Sequence, residues 1–223
     1  MKILCVIPAR GGSKGIPKKN IINFIDQPLI SHSIIQSLKS KYITDVVVSS
    51  DSDEILNISQ SYGAITLKRP NEISTDTSSS ESALLHAIEK LNDDYDYIVF
   101  LQATSPLRTT EDIDNCIETL INNNLDSVFS ASILEDMLIW KLSINTLESV
   151  NYDYKNRKRR QDSEIQYVEN GSIYVFKKEG FIKNKNRLFG KIGLSLMDSW
   201  KMFEIDSLED LELCELIFKN KLK

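Results

Sequence analysis

Met1–Asn20 reads MKILCVIPARGGSKGIPKKN, and the fold can be worked out from this stretch. The apolar run from Ile3 to Ile7 has the length of one buried strand, and Pro8 stops it. The chain then passes through Ala9-Arg10-Gly11-Gly12-Ser13-Lys14-Gly15-Ile16-Pro17-Lys18-Lys19-Asn20. Glycines this dense allow a tight turn whose N–H groups approach a ligand closely. Arg10, Lys14, Lys18 and Lys19 bring cationic charge to the same loop. A strand running into a glycine-rich, cationic loop is how α/β proteins hold phosphate groups. An ordinary solvated loop could use the same residue types, but strand, glycines and charges coincide here.

Two glycine motifs are excluded. The spacing of Gly11, Gly12 and Gly15 does not make G-x-G-x-x-G, and Ile16 stands where a Walker loop needs lysine. Pro17 argues against a helix running straight on from Gly15.

Beyond the loop, strand and helix patterns alternate. Pro28 to Ser40 has a helical apolar period, and DVVVSS (Asp45 to Ser50) is a β-branched run. Ser52 to Tyr62 reads as a helix stopped by Gly63, and Ile65 to Leu67 as a short strand. Ser80 to Leu91 is a helix, YIVFL (Tyr97 to Leu101) the clearest central strand, Thr110 to Ile121 a helix and Ser127 to Ala131 a strand. This alternation predicts an α/β, three-layer, Rossmann-like fold with a mostly parallel central sheet. Its ligands would bind beyond the carboxyl ends of the strands, around Arg10, Arg69 and Gln102. The pattern breaks over 133–168, where Trp140, Tyr152 and Tyr154 are interleaved with lysines and arginines. This stretch reads as an inserted subdomain within a single domain spanning 1–223. Gly171 to Phe176 and Lys191 to Leu196 then restore strands. A final helix over Ser207 to Lys219 is capped by Ser207 with Asp210 and would bury Leu208, Leu211, Leu216 and Ile217.

The composition is that of a globular chain, 41% hydrophobic and 26% charged. A net charge of −5 gives no general attraction to nucleic acid or anionic membrane. The apolar run at the start is too short for a signal peptide or membrane span. Cys5, Cys116 and Cys214 are odd in number and far apart, which points to free thiols in a reducing cytoplasm.

The first loop resembles the signature of the CMP-sugar synthetases, cytidylyltransferases that activate sialic acid and related nonulosonic acids. Their ARxxSKGxPxKN loop, which wraps the triphosphate of CTP, stands here as Ala9, Arg10, Ser13, Lys14, Gly15, Pro17, Lys19 and Asn20. The resemblance spans almost the whole chain. It implies a nucleotidyltransferase fold in which Ala9, Arg10, Gly11, Ser13, Lys14, Lys19 and Asn20 bind the nucleotide, and Arg10 and Lys19 serve catalysis.

Other motifs follow in family order. Leu101 to Arg108, LQATSPLR, is on its chemistry equally a strand-to-helix connection or a polar ligand loop; the family's LQPTSPLR assigns Gln102 to the ligands. Arg69 before Pro70 is commonly a surface residue and Ser80 at a helix start commonly a cap. The resemblance gives both to the cytosine ring. Arg160-Gln161 and Asn170-Gly171 resemble the family's RQ and NG. With Lys141 they are candidates for an anionic sugar, whose carboxylate arginine grips with two parallel bonds; a solvated loop is the other reading of this basic run.

Glu204-Ile205-Asp206 sets two carboxylates on one face of an extended segment. They are either acids favoured by the dipole of the next helix or, as the family's D-I-D implies, ligands of Mg2+ on CTP, with Asp206 also catalytic. The resemblance implies a cytoplasmic homodimer that turns CTP and a nonulosonic acid into a CMP-sugar and pyrophosphate, its LQATSPLR wording fitting the sialic and legionaminic branches. The rivals are a transferase acting on a sugar 1-phosphate and a non-catalytic nucleotide-binding regulator of the same fold.

Overall fold

The β-branched and apolar runs become the strands of one sheet. The computed structural model describes every residue except Lys14, Asn92, Glu135, Asp136 and Lys223. β1 (Ile3–Pro8) leads through the loop to a small hairpin, β2 (Asn23–Phe24) with β3 (Gln27–Pro28), and on to α1 (Leu29–Leu38). β4 (Asp45–Ser50), α2 (Asp53–Ser61), β5 (Ile65–Lys68), α3 (Ser80–Leu91), β6 (Tyr97–Leu101), α4 (Thr110–Asn122) and β7 (Ser127–Ile133) follow in alternation. After β7 comes a second hairpin, β8 (Trp140–Ser143) with β9 (Thr146–Ser149). β10 (Tyr167–Lys177), α5 (Lys178–Asn184), β11 (Ile192–Leu196) and α6 (Leu208–Lys221) complete the chain.

The sheet order is β11-β7-β10-β6-β1-β4-β5. β5, β4, β1 and β6 run parallel, as do β7 and β11, while β10 lies antiparallel between β6 and β7. Both sheet faces are covered. Ile3, Cys5, Ile7, Val99 and Val175 pack under α1 and α4 on one side; Leu4, Val6, Ile98 and Phe176 pack under α3 and α5 on the other. The reversal of winding on either side of β1 opens a crevice at the carboxyl ends of the parallel strands.

A third, smaller core determines where the site forms. Ile16 of the first loop, Leu29 of α1, Leu107 before α4, Ile205 and Cys214 of α6 pack together with Phe24. The start, middle and end of the chain therefore share one apolar cluster. α6 enters it through a full capping box, Ser207 with Asp210, and buries Cys214, with Leu211, Ile217 and Phe218 partly covered. The expected stripe is corrected here: Leu208 and Leu216 are 59% and 60% exposed. Leu216 lies two residues from Cys214, on the opposite side of a 3.6-residue turn.

Between β7 and β10, the β8–β9 hairpin forms a two-stranded sheet of its own, separate from the central one. The tip of this hairpin, Ile144 and Asn145, has φ of 42° and 68°, the backbone of a two-residue primed turn. Trp140 packs edge-on to Tyr152 and near Tyr154.

Candidate active site

The carboxyl ends of β1, β4, β5 and β6 converge on a cavity of about 220 Å³ lined by Arg10, Ser13, Lys19, Asn20, Arg69, Ser80 and Gln102 together with the hydroxyls of Ser74, Thr75 and Ser78. The first loop is anchored along its length. Ala9 is buried and its N–H donates to Ser49 O, the Gly11 N–H donates to Asp51 Oδ1 at 2.8 Å, and the Asn20 amide donates to Arg10 O at 3.0 Å. Arg10 is ion-paired with Asp76 across the cavity mouth.

Among the described residues of this loop, Lys18 adopts a positive φ, at 54°. Gly15 matters for close approach. A Cβ there would lie 2.3 Å from the Asp206 carbonyl oxygen, so only glycine lets the loop rest on the acid segment.

Lys19 and Asp206, 187 residues apart, meet at 2.5 Å from Nζ to Oδ1. Ile205 between the two acids is fully buried and its N–H donates to Thr104 O at 2.9 Å. Alternation then turns Glu204 and Asp206 to the opposite face, as the spacing predicts. Glu204 packs beside the Gln102 amide over Gly171, whose φ of +70° and proximity leave no room for a side chain: a Cβ would meet Glu204 Oε1 at 2.3 Å. Burial, and after it the Asp206 charge, push the Glu204 carboxyl above its usual range. Among the described residues no cluster of three or more His, Cys, Asp or Glu side chains could hold a metal. Two hard oxygen donors suit a magnesium ion that takes its remaining ligands from phosphates and water.

Arg69 is 5% exposed; its backbone N–H donates to Ser50 O and its Nε to Ser74 Oγ at 3.0 Å. Desolvation lowers its pKa. The hydroxyl that caps α3 belongs to Ser79, which accepts from the Ser82 N–H. Ser80 is thus left to face the cavity. Lys14 lies outside the described residues.

The other sugar candidates are placed elsewhere. Lys141 stands on β8, ion-paired with Glu148 at 3.1 Å. Arg160 and Gln161 sit in an exposed single-turn helix, and Arg160 lines a second cavity with Arg157, Lys158 and Tyr152. Asn170 is buried, accepting from Ser130 Oγ and from the Ser172 N–H at 3.2 Å. Its amide holds β10 to β7.

Several residues of the site carry no motif of their own. Asp51 and Asp76 hold the first loop, and the first was findable as the acid just beyond the strand DVVVSS. Arg108, the last residue of LQATSPLR, is fully buried. Its guanidinium donates to Ser105 O, Ser172 Oγ, Gln102 O and Ser33 Oγ, and desolvation pushes its pKa down to about 10. It fixes the loop that carries Gln102. Arg187 stacks over Phe100 and Tyr174, with its guanidinium carbon 4.7 and 4.8 Å from the ring centroids, and its Nε donates to Glu81 beside Ser80.

Residues 4–221 match the cytidylyltransferase family. The chain is 34% identical to a pseudaminic acid cytidylyltransferase of Campylobacter jejuni, covering 98% of this chain and 97% of the relative. It is also 34% identical to the CMP-N,N'-diacetyllegionaminic acid synthase of the same species, covering 99% and 96%. Among solved structures, a CMP:2-keto-3-deoxy-manno-octonic acid synthetase complexed with CTP shares the fold with a TM-score of 0.75 at 16% identity, over the full length of both chains.

Proposed function

The chain belongs to the cytidylyltransferase family, and from that premise we propose that it transfers the cytidylyl group of CTP to a nonulosonic acid and releases pyrophosphate. One observation supports the reading: Lys19 of the cationic loop, which lines the cavity, is ion-paired with Asp206 of the acid segment from the opposite end of the chain.

In this reading the anomeric hydroxyl oxygen of the sugar attacks the α-phosphorus in line. Its bond to phosphorus forms as the bond to the leaving pyrophosphate breaks. Such chemistry rests on positioning and charge neutralisation. Arg10, Ser13, Lys14, Lys19 and Asn20 hold the triphosphate, and Ala9 and Gly11, whose N–H groups are taken by Ser49 O and Asp51 Oδ1, serve it by fixing the path of the loop. Arg69 and Ser80 hydrogen-bond the cytosine edge, and Gln102, steadied by Arg108, orients the sugar. Asp206 and Glu204 would hold Mg2+, which supplies positive charge to the phosphate oxygens when bound.

Lys141, Arg160 and Gln161 do not line the crevice of their own chain. We assign them to the sugar acid through a homodimer in which residues 137–166 of one chain cover the other's cavity. Support comes from the apolar side chains this segment exposes, among them Leu142, Ile144, Leu147 and Ile165 at 63–97%. Isoleucine is poorly suited to the positive φ it holds at the hairpin tip, which favours a role for that side chain at a contact. All three cysteines are free and buried, and no described helix is long and apolar enough to cross a membrane; with CTP as substrate, this supports a cytoplasmic enzyme.

Both the pseudaminic and the legionaminic relative stand at 34% identity, so overall identity does not choose the sugar, and the branch preference read from LQATSPLR stays a proposal. Pyrophosphate release from CTP with a panel of nonulosonic acids and sugar 1-phosphates tests the reading. Turnover with a nonulosonic acid is expected. Turnover only with a sugar 1-phosphate, or CTP binding without any turnover, would replace it with the corresponding rival.

A further inference from the structure

We propose that Lys201 and Asp112 form a positioning pair that holds Glu204 and Asp206 in register for the metal-bound nucleotide. The proposal rests on the functional reading above but concerns residues which that reading leaves out. Lys201 is 9% exposed and Asp112 6%. The ammonium lies 2.8 Å from both carboxylate oxygens. A buried ion pair is weak ground for stability, because desolvation offsets the attraction, and fixing one arrangement over its neighbours is its best-attested use.

The placement shows what this pair fixes. Asp112 is already the N3 acid of the capping box that starts α4 at Thr109: its Oδ2 accepts from the Thr109 N–H at 2.7 Å and from Thr109 Oγ1 at 2.9 Å. The same carboxylate therefore ends the Gln102–Arg108 loop and grips Lys201. Lys201 closes a single helical turn, Ser199–Lys201, three residues ahead of Glu204. On the far side of the acids, the Asp206 and Ser207 N–H groups donate to Asp210 Oδ2. The metal segment is thus tied down at both ends, with Ile205 N–H on Thr104 O between them. Releasing the Lys201 end frees the segment to slide against the loop that orients the sugar. Groups that act behind metal ligands in this way set metal affinity without touching the ion.

The test is calorimetric and uses the full chain with the sugar omitted. CTP is titrated in EDTA, and Mg2+ is then titrated into CTP-saturated protein, for wild type, Lys201→Met and Lys201→Arg. In Lys201→Met the Mg2+ affinity is expected to fall about tenfold while CTP affinity in EDTA stays as in wild type, and Lys201→Arg is expected to recover part of the loss. Unchanged Mg2+ affinity in a Lys201→Met protein of lowered Tm would reduce the pair to a fold contact and overturn the proposal. If Lys201→Met does not fold, Asp112→Glu keeps the pair but displaces the ammonium: shifted Mg2+ affinity supports the proposal and unchanged affinity overturns it. A wild-type protein in which Mg2+ adds nothing to the CTP complex would instead remove the metal reading itself, and the pair's role with it.

Discussion

The crevice and the segment between β7 and β10 are built from the same residue types, arginine, lysine and aromatic rings, and use them in opposite ways. In the crevice Arg108 is fully buried with its acceptors supplied by its own chain, and Arg187 lies flat on the stacked rings of Phe100 and Tyr174. In residues 137–166, Arg157, Lys158 and Arg160 line an open cavity, and Trp140 and Tyr154 remain 42% and 53% exposed. A cation that is enclosed and bonded has its role defined within one chain. Cations at the rim of an exposed apolar surface stand where a second chain could also reach them.

That contrast can be broken at either side. The largest effect is expected at Asp206: Asp206→Ala should lower pyrophosphate release by about 10³-fold, ~4 kcal/mol of transition-state stabilisation. Its side chain is 72% exposed, so the urea midpoint should barely move. Normal turnover would end the claim that the acid segment serves catalysis. Next comes Arg108→Met, which leaves several buried acceptors without a donor and should cost about 3 kcal/mol of stability, read as a lower urea midpoint at unchanged slope. Gly15→Ala should follow. The added methyl must push the loop off the Asp206 carbonyl, at about 1–3 kcal/mol, and kcat/KM should fall accordingly while the proteolysis pattern of the segment between β7 and β10 stays as in wild type.

Ile144→Asp sharpens the other half. At 97% exposure it should change monomer stability by no more than about 0.5 kcal/mol, yet shift sedimentation to the monomer and lower turnover. Dimers that persist would detach residues 137–166 from pairing.

The smallest effect concerns pH. His32 packs edge-on to Phe24 and Phe218, its Nε2 is 2.9 Å from Phe24 O, and burial lowers its pKa. A histidine with a depressed folded pKa takes up its proton more readily in the unfolded chain. Its contribution is complete above the unfolded value of about 6.5 and is lost as pH falls below that value toward the folded one. Denaturation midpoints should drop between pH 7 and 5, and His32→Gln should flatten that slope. An equal slope in the variant would place the titrating group elsewhere.

The same contrast governs what could be read from the chain before its structure. DVVVSS and YIVFL announce buried strands because β-branched and aromatic runs have few other homes, and the strands match those runs residue for residue. The Ser207 capping box was legible from the aspartate three residues on, whereas the box of Thr109 with Asp112, of the same spacing, was not read. α5 was missed: Lys178–Asn184 contains Gly180 and buries only Phe181, too little for a periodic stripe. The β8–β9 hairpin was missed because its turn, Ile144-Asn145, lacks the glycine that usually marks one. Within the site, Lys19, Asp206 and Arg108 all stand in matched motifs, but the buried role of Arg108, and Lys201 and Asp112 altogether, could not be read from them. Their importance comes from burial, and burial of a charged side chain is a fact of three dimensions.

One distance along the chain has a consequence for biosynthesis. Lys19 and its carboxylate partner are separated by 187 residues, and ribosomes add about 5–20 residues per second. The nucleotide loop therefore leaves the ribosome roughly 10–40 s before the acids that complete it. Until Ile205 seats against Ile16 and Leu107, a nascent chain presents cations with no counter-charge from the carboxyl end. Messages cut short ahead of codon 204 would yield a protein with its sheet strands in place and no means of gripping a metal-loaded nucleotide.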